Sequence, residues 1–185
     1  ITYVNIVGAK TAAILQTGLT LIIGAVGIVL IAAAGITGHA ANLEGQYFVG
    51  ATTTEMVKNT LAVAVMTPFF FIGFNVIPQA AEEISASLKN IGRILVLSII
   101  LAVAFYSFVI GAVGYLMNNA DISLSMQSVG GLVTADAMAK AFNSDMMAKV
   151  LIVGGLCGII TSWNSFLIGG SRAMYSMACA HMIPP

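Results

Sequence analysis

Charged residues vanish from four stretches of the chain, 11–43, 59–81, 94–120 and 150–171. Each is long enough to cross a bilayer, which takes about 20 apolar residues in a helix. The pattern predicts four transmembrane helices, over roughly 12–36, 60–84, 93–117 and 147–177. Barrel strands would read as short alternating segments, and no such alternation is present. The expected class is all-α transmembrane, in a single membrane domain over residues 1–185. The connections differ in kind. Residues 37–59 form a polar loop, 85–92 a tight turn on the opposite side, and 118–146 a long excursion on the side of the first loop. Within the excursion, TADAMAKAF predicts a short helix capped by Thr134. Asp136 pairs with Lys140 four residues on, and Ala135, Met138, Ala139 and Phe142 make an apolar face that lies on the bundle like a lid.

The second span breaks its own pattern. PFFFIGFNVIPQAAEEI, residues 68–84, puts Gly73, Asn75 and Pro78 near the middle of a membrane-crossing segment and ends on Glu82 and Glu83. Pro78 has no N–H, so the carbonyl of Phe74 loses its helical partner. An unpaired carbonyl at that depth is tolerable only where it faces protein, water or ligand. A simple proline kink is one reading. The three residues together favour a discontinuous helix, whose two ends offer free carbonyls to an ammonium group and free N–H groups to a carboxylate. Asn75 either meets a ligand or bonds a neighbouring helix. Glu82 and Glu83 close the inner end, where Lys89 or Arg93 can balance their charge.

The last span holds a second polar cluster, TSWNSF. Thr161, Ser162 and Ser165 can bond back to their own helix or serve a transport site. The Trp163 indole and Asn164 amide need partners at depth. Glycines recur along the spans (Gly24, Gly27, Gly154 and Gly158 among them), as expected where helices approach closely.

Composition agrees with lipid as the solvent. The chain is 59% hydrophobic and 8% charged, with a mean hydropathy of +1.00, whereas soluble domains carry about 25% charged residues. The formal net charge is zero, which leaves no basic field for nucleic acid. Cys157 and Cys179 are expected to be small buried residues. His39 and His181 stand far apart, without metal-ligand spacing, and no nucleophile–base set is evident, so neither an enzyme nor a metal site is expected. Lys10, Lys89, Arg93 and Arg172 fall on one side and Lys58, Lys140 and Lys149 on the other. The positive-inside rule then puts the N-terminal end in the cytoplasm, in a plasma membrane. The chain starts at Ile1, shows no signal-peptide pattern and reads as an internal piece of a longer polytopic protein.

Several motifs resemble one family. FFFIGFNVIPQAAEEI is similar to the sixth-helix signature of the amino acid–polyamine–organocation permeases, F-x-F-x-G-F-[DE] followed by A-E-E. SASLKNIGRIL resembles their K-N-P-x-R-N-I-P-R-x-I turn, GGSRAMYSMACAHMIPP their eighth-helix ending, and NIVGAK the G-V-K before helix five. The resemblance spans the whole chain and implies helices five to eight of a LeuT-like inverted-repeat transporter, with the remainder of the permease chain as partner.

By the same resemblance the function is secondary active transport of amino acids by alternating access. Phe69 matches a gating aromatic, Ile72, Gly73 and Phe74 the unwound segment, and Asn164 a substrate-facing position. Asn75 stands where the family has an acid. The lysine many relatives carry in helix five is replaced near Ile23, which leaves room for sodium at Thr161, Ser162 or Ser165; the coupling ion is a proton or sodium, and no cofactor is implied. Cys179, Ala180 and His181 replace the family's Arg-Asp-Gly. A channel or accessory membrane subunit, or a permease for polyamines or other organocations, are the alternatives.

Overall fold

A computed structural model describes residues 1–44, 52–71, 73, 74, 76, 88–128 and 130–182. Every regular element among them is helical. Helices α1 (Thr2–Val7), α2 (Ala9–Thr37), α3 (Thr53–Met66), α4 (Leu88–Leu116), α5 (Asn119–Gln127), α6 (Val133–Phe142) and α7 (Asp145–Cys179) follow in order. Lys10–Thr37, Asn90–Leu116 and Asp145–Cys179 are long and apolar enough to cross a membrane. They correspond to the expected first, third and fourth spans, the third ending one residue early.

Side-chain contacts fix how these three run. Val26 lies against Gly154, Ile23 against Gly158, and Gln16 bonds Ser165. Numbers fall on α2 as they rise on α7, so the pair is antiparallel. Phe105 packs on Gly27 and Tyr115 on Gly38, so α2 and α4 run parallel. Parallel neighbours oblige the chain between them to return to the end at which it started. A Cβ at Gly27 would collide with the Phe105 ring, and one at Gly158 would stand 2.6 Å from Ile23 Cδ1. These two glycines act in helix approach as expected. Gly24 and Gly155, which have open space around their Cα atoms, do not.

The core sits at the end where α2 and α4 finish. Leu30, Ala34, Ala112, Val113, Leu116, Met117, Ala137 and Met138 form it. Tyr115 belongs to the last turn of α4, where carbonyls lack a helical partner. Its oxygen instead accepts from the His39 amide at 3.0 Å and from Asn42 Nδ2 at 2.8 Å. This ties the first loop to the third span.

The excursion after α4 does fold back as a lid, with corrections in detail. It contains two helices, and the first, α5, was not expected; Asn118 caps it by accepting from the Asp121 amide at 2.8 Å. The second, α6, starts one residue before Thr134, and Leu132 rather than Thr134 occupies the cap position, without a side-chain bond. Its buried residues are Ala135, Ala137 and Met138, while Phe142 is exposed. The face is set by the apolar α2–α4 end beneath it. Lys140 reaches across to Asp121 of α5, Nζ to Oδ2 2.6 Å, instead of pairing along the helix with Asp136. Asp136 accepts from the Ser125 hydroxyl. The hydrogen bond and charge of Lys140 hold the Asp121 carboxyl below its ordinary range.

The second expected span departs most from expectation. The α-helix begins at Thr53, where the Thr52 hydroxyl accepts from the Glu55 amide at 3.3 Å, and it ends at Met66. A 3-10 turn, Thr67–Phe71, follows. Pro68 explains the change, because it has no N–H to return to the Ala64 carbonyl; the Thr67 amide meets that carbonyl instead. The α-helix alone is about 21 Å long, short of a 30 Å hydrocarbon core. Pro78 lies outside the described residues. Cys157 is buried as expected, but Cys179 is exposed near the end of α7, and both are free thiols.

Candidate functional site

Past the 3-10 turn, Gly73 adopts φ +117°, a backbone region that side-chain-bearing residues rarely enter. Phe71 and Phe74 stack with centroids 6.3 Å apart, and Phe71 meets Tyr106 of α4 edge-on at 6.0 Å. These contacts bring the end of the short helix to the middle of α4. There a cavity of about 370 Å³ opens, lined by Gln16, Phe70, Gly73, Phe74, Val76, Tyr106, Thr161, Ser162, Ser165 and Phe166. Four elements therefore meet around Gly73.

The α7 hydroxyls form one wall. Thr161 Oγ1 and Ser162 Oγ donate to the Gly158 carbonyl at 2.7 and 3.0 Å, and Ser165 Oγ donates to Thr161 O at 3.1 Å. Bonding back to the helix leaves their oxygens as acceptors, and all three stand on the same cavity.

Asn164 is 4% exposed. Its carbonyl accepts from Asn5 Nδ2 at 2.7 Å and its amide donates to Gln16 Oε1 at 2.6 Å. Gln16 Nε2 donates in turn to Ser165 Oγ at 2.9 Å. Three chain segments are joined by one run of neutral hydrogen bonds, and every buried polar side-chain atom among the described residues has a partner. Such closure is what burial of amides in an apolar bundle requires.

The sequence candidates thus divide. Gly73, Phe74, Thr161, Ser162 and Ser165 come together on the cavity, and Asn164 stands behind it through Gln16. Phe69 is 72% exposed and packs edge-on to Phe70, which takes the place on the cavity wall. Trp163 is 61% exposed and lies with Ile1, Thr2, Phe166 and Leu167 on another surface. Arg93 lines a shallow groove along α4 with Gly92, Val96, Leu97 and Ile100. Ile72, Asn75, Glu82, Glu83 and the Lys89 side chain lie outside the described residues. Among the described residues no cluster of His, Cys, Asp and Glu could hold a metal ion.

Sequence reasoning missed Gln16, Asn5 and Tyr106. Gln16 carried a signal, as the sole amide between residues 11 and 41, and an amide at membrane depth calls for a partner. Asn5 and Tyr106 carried none.

The uncharacterized protein MJ0609 of Methanocaldococcus jannaschii is 29% identical over 109 residues, which is 58% of this chain and 24% of that protein. No solved structure matches the chain. The model of the family described as "Amino acid permease" matches residues 1–185. With three helices of membrane-spanning length, the chain is an integral membrane protein and belongs to the amino acid permease family.

Proposed function

We propose that this chain is the substrate-holding part of a larger permease that carries amino acids by secondary active, alternating-access transport. The observation that carries the reading is the cavity at Gly73, where an α-helix has already ended and four elements converge. A backbone that leaves the helical pattern in mid-membrane needs a polar or protein-lined space. It also presents carbonyl and N–H groups that complement a zwitterion.

Residues 60–84 are then the discontinuous helix of a LeuT-like repeat, with Gly73 and Phe74 at its interruption, and Ile72 and Asn75 are further substrate-binding residues. The parallel run of α2 and α4 supports a returning span between them. The described cavity groups are neutral, which favours a zwitterion over a polyamine. Thr161, Ser162 and Ser165 are the ligand set for sodium if sodium is the coupling ion, and a proton-driven cycle needs a titrating group elsewhere in the permease. Lys10, Arg93 and Arg172 share one end of the bundle, and we assign that end to the cytoplasm.

Uptake of labelled amino acids and polyamines by the full-length protein in proteoliposomes tests this. A proton gradient, a sodium gradient and neither would be imposed in turn. Saturable, gradient-driven uptake of an amino acid is expected. Gly73→Leu forces a branched side chain into a positive-φ position and should cut that uptake at least about tenfold with expression retained. Unchanged uptake by the variant would sink the assignment of the cavity, and conduction without saturation would favour a channel.

A further inference from the structure

Gln16 stands in the walls of two cavities at once. Besides the cavity at Gly73, it borders one of about 690 Å³ towards the Arg172 end, lined by Thr2, Asn5, Asn164, Ser171, Arg172 and Tyr175 among others. The hydrogen bonds run between the two in a single direction. Asn5 donates to Asn164, Asn164 to Gln16, Gln16 to Ser165, and Ser165 to the Thr161 carbonyl at the rim of the first cavity. None of these side chains titrates, so the chain of bonds is held by dipoles alone.

The packing of α2 on α7 differs on the two sides of this point. At Val26–Gly154 and Ile23–Gly158 the helices touch through glycines, where an added Cβ would stand 3.2 Å from Val26 Cβ and 2.6 Å from Ile23 Cδ1. At Gln16 they are joined by amides across the boundary of the two cavities. An apolar glycine contact has nothing to exchange with. An amide pair does, because water or a zwitterion can replace each of its bonds at small net cost. The joint can therefore open where the glycine contacts cannot.

We propose that Gln16, Asn164 and Ser165 form a door between the two cavities, closed in this structure, through which the substrate leaves the Gly73 cavity towards the Arg172 end. The identity of what passes rests on the permease reading above; the door itself does not.

The test uses the full-length protein in proteoliposomes, with its other cysteines replaced by alanine and a single reporter cysteine. Ser171→Cys reports the Arg172-end cavity and Ser162→Cys the cavity at Gly73. A membrane-impermeant thiol reagent is applied from the side that labels Ser171→Cys. Adding Gln16→Ala should raise the labelling rate of Ser162→Cys about tenfold, as expected for losing two neutral hydrogen bonds, and leave that of Ser171→Cys unchanged. An unchanged rate at Ser162→Cys overturns the door. An equal rise at both reporters also overturns it, since that marks general loosening. Should Gln16→Ala fail to fold, Gln16→Met keeps the length and offers neither the N–H for Ser165 nor the carbonyl for Asn164; the same shift in the same direction is expected. Absence of uptake by the unsubstituted protein, together with the expected labelling, would defeat the permease reading and spare the door.

Discussion

The two ends of the bundle are joined by different means. At the lid end, Leu30, Met117 and Met138 are packed with Ala34, Ala112 and Ala137 from three helices, and the Tyr115 carbonyl is satisfied twice over. At the other end α2 and α7 flank a cavity and are linked by Gln16 and Asn164. Apolar packing yields only by creating a void. Amide pairing yields by exchanging partners. The contrast makes the lid end the fixed one and the amide end the one able to change state.

The comparison can be broken by substitution at each end. The largest effect is expected from Met138→Ala, because Met138 is fully buried under the lid. Removing its side chain should lower stability in detergent by about 2–5 kcal/mol, read as a drop in melting temperature. A change near zero would mean that the lid is not a packed core. Asn164→Ala comes next. It leaves Gln16 Oε1 without its donor and Asn5 Nδ2 with the Ile1 carbonyl alone, and should cost about 1–3 kcal/mol. It should also raise labelling of a Ser162→Cys reporter, which Met138→Ala should not. If both variants change labelling alike, the two ends do not differ as argued.

The smallest effect belongs to the exposed Lys140–Asp121 pair. Lys140 lowers the Asp121 carboxyl, so the pair's contribution is present above the unfolded carboxylate range and is lost as pH falls through the lowered folded value. Lys140→Met should therefore reduce stability slightly at neutral pH and not at all in strong acid, and high salt should erase the difference. A loss that persists in acid would assign Lys140 a packing role instead.

Much of the fold was legible because lipid imposes a simple code. Runs without charge and long enough to cross the bilayer fall on α2, α4 and α7. The lid was legible from the amphipathic stretch at 134–142. Its partners were not, because Lys140 has an acid within reach on its own helix and another on α5. Gly73, Asn75 and Pro78 point to a break in the second span, and the described α-helix already ends at Met66, ahead of Pro68, which has no N–H to continue it.

The candidate site was legible by residue type more than by neighbour. Gly73, Phe74 and the α7 hydroxyls were singled out by their chemistry, and Asn164 by an amide at depth. Phe70 and Phe69 are indistinguishable in sequence, and only the 3-10 geometry turns the former to the cavity. Gln16 could be seen but not placed.

The sequence by itself determined that this protein lives in a membrane and where its long helices lie. It could do so because hydrophobicity and helix propensity act along the chain. The tertiary structure alone decided that α2 lies antiparallel to α7 and parallel to α4. It also decided that Asn5, Gln16, Asn164 and Ser165 form one hydrogen-bonded run. Those facts depend on pairs up to 159 positions apart, and a bond between distant amides exists only once apolar packing has brought their helices together.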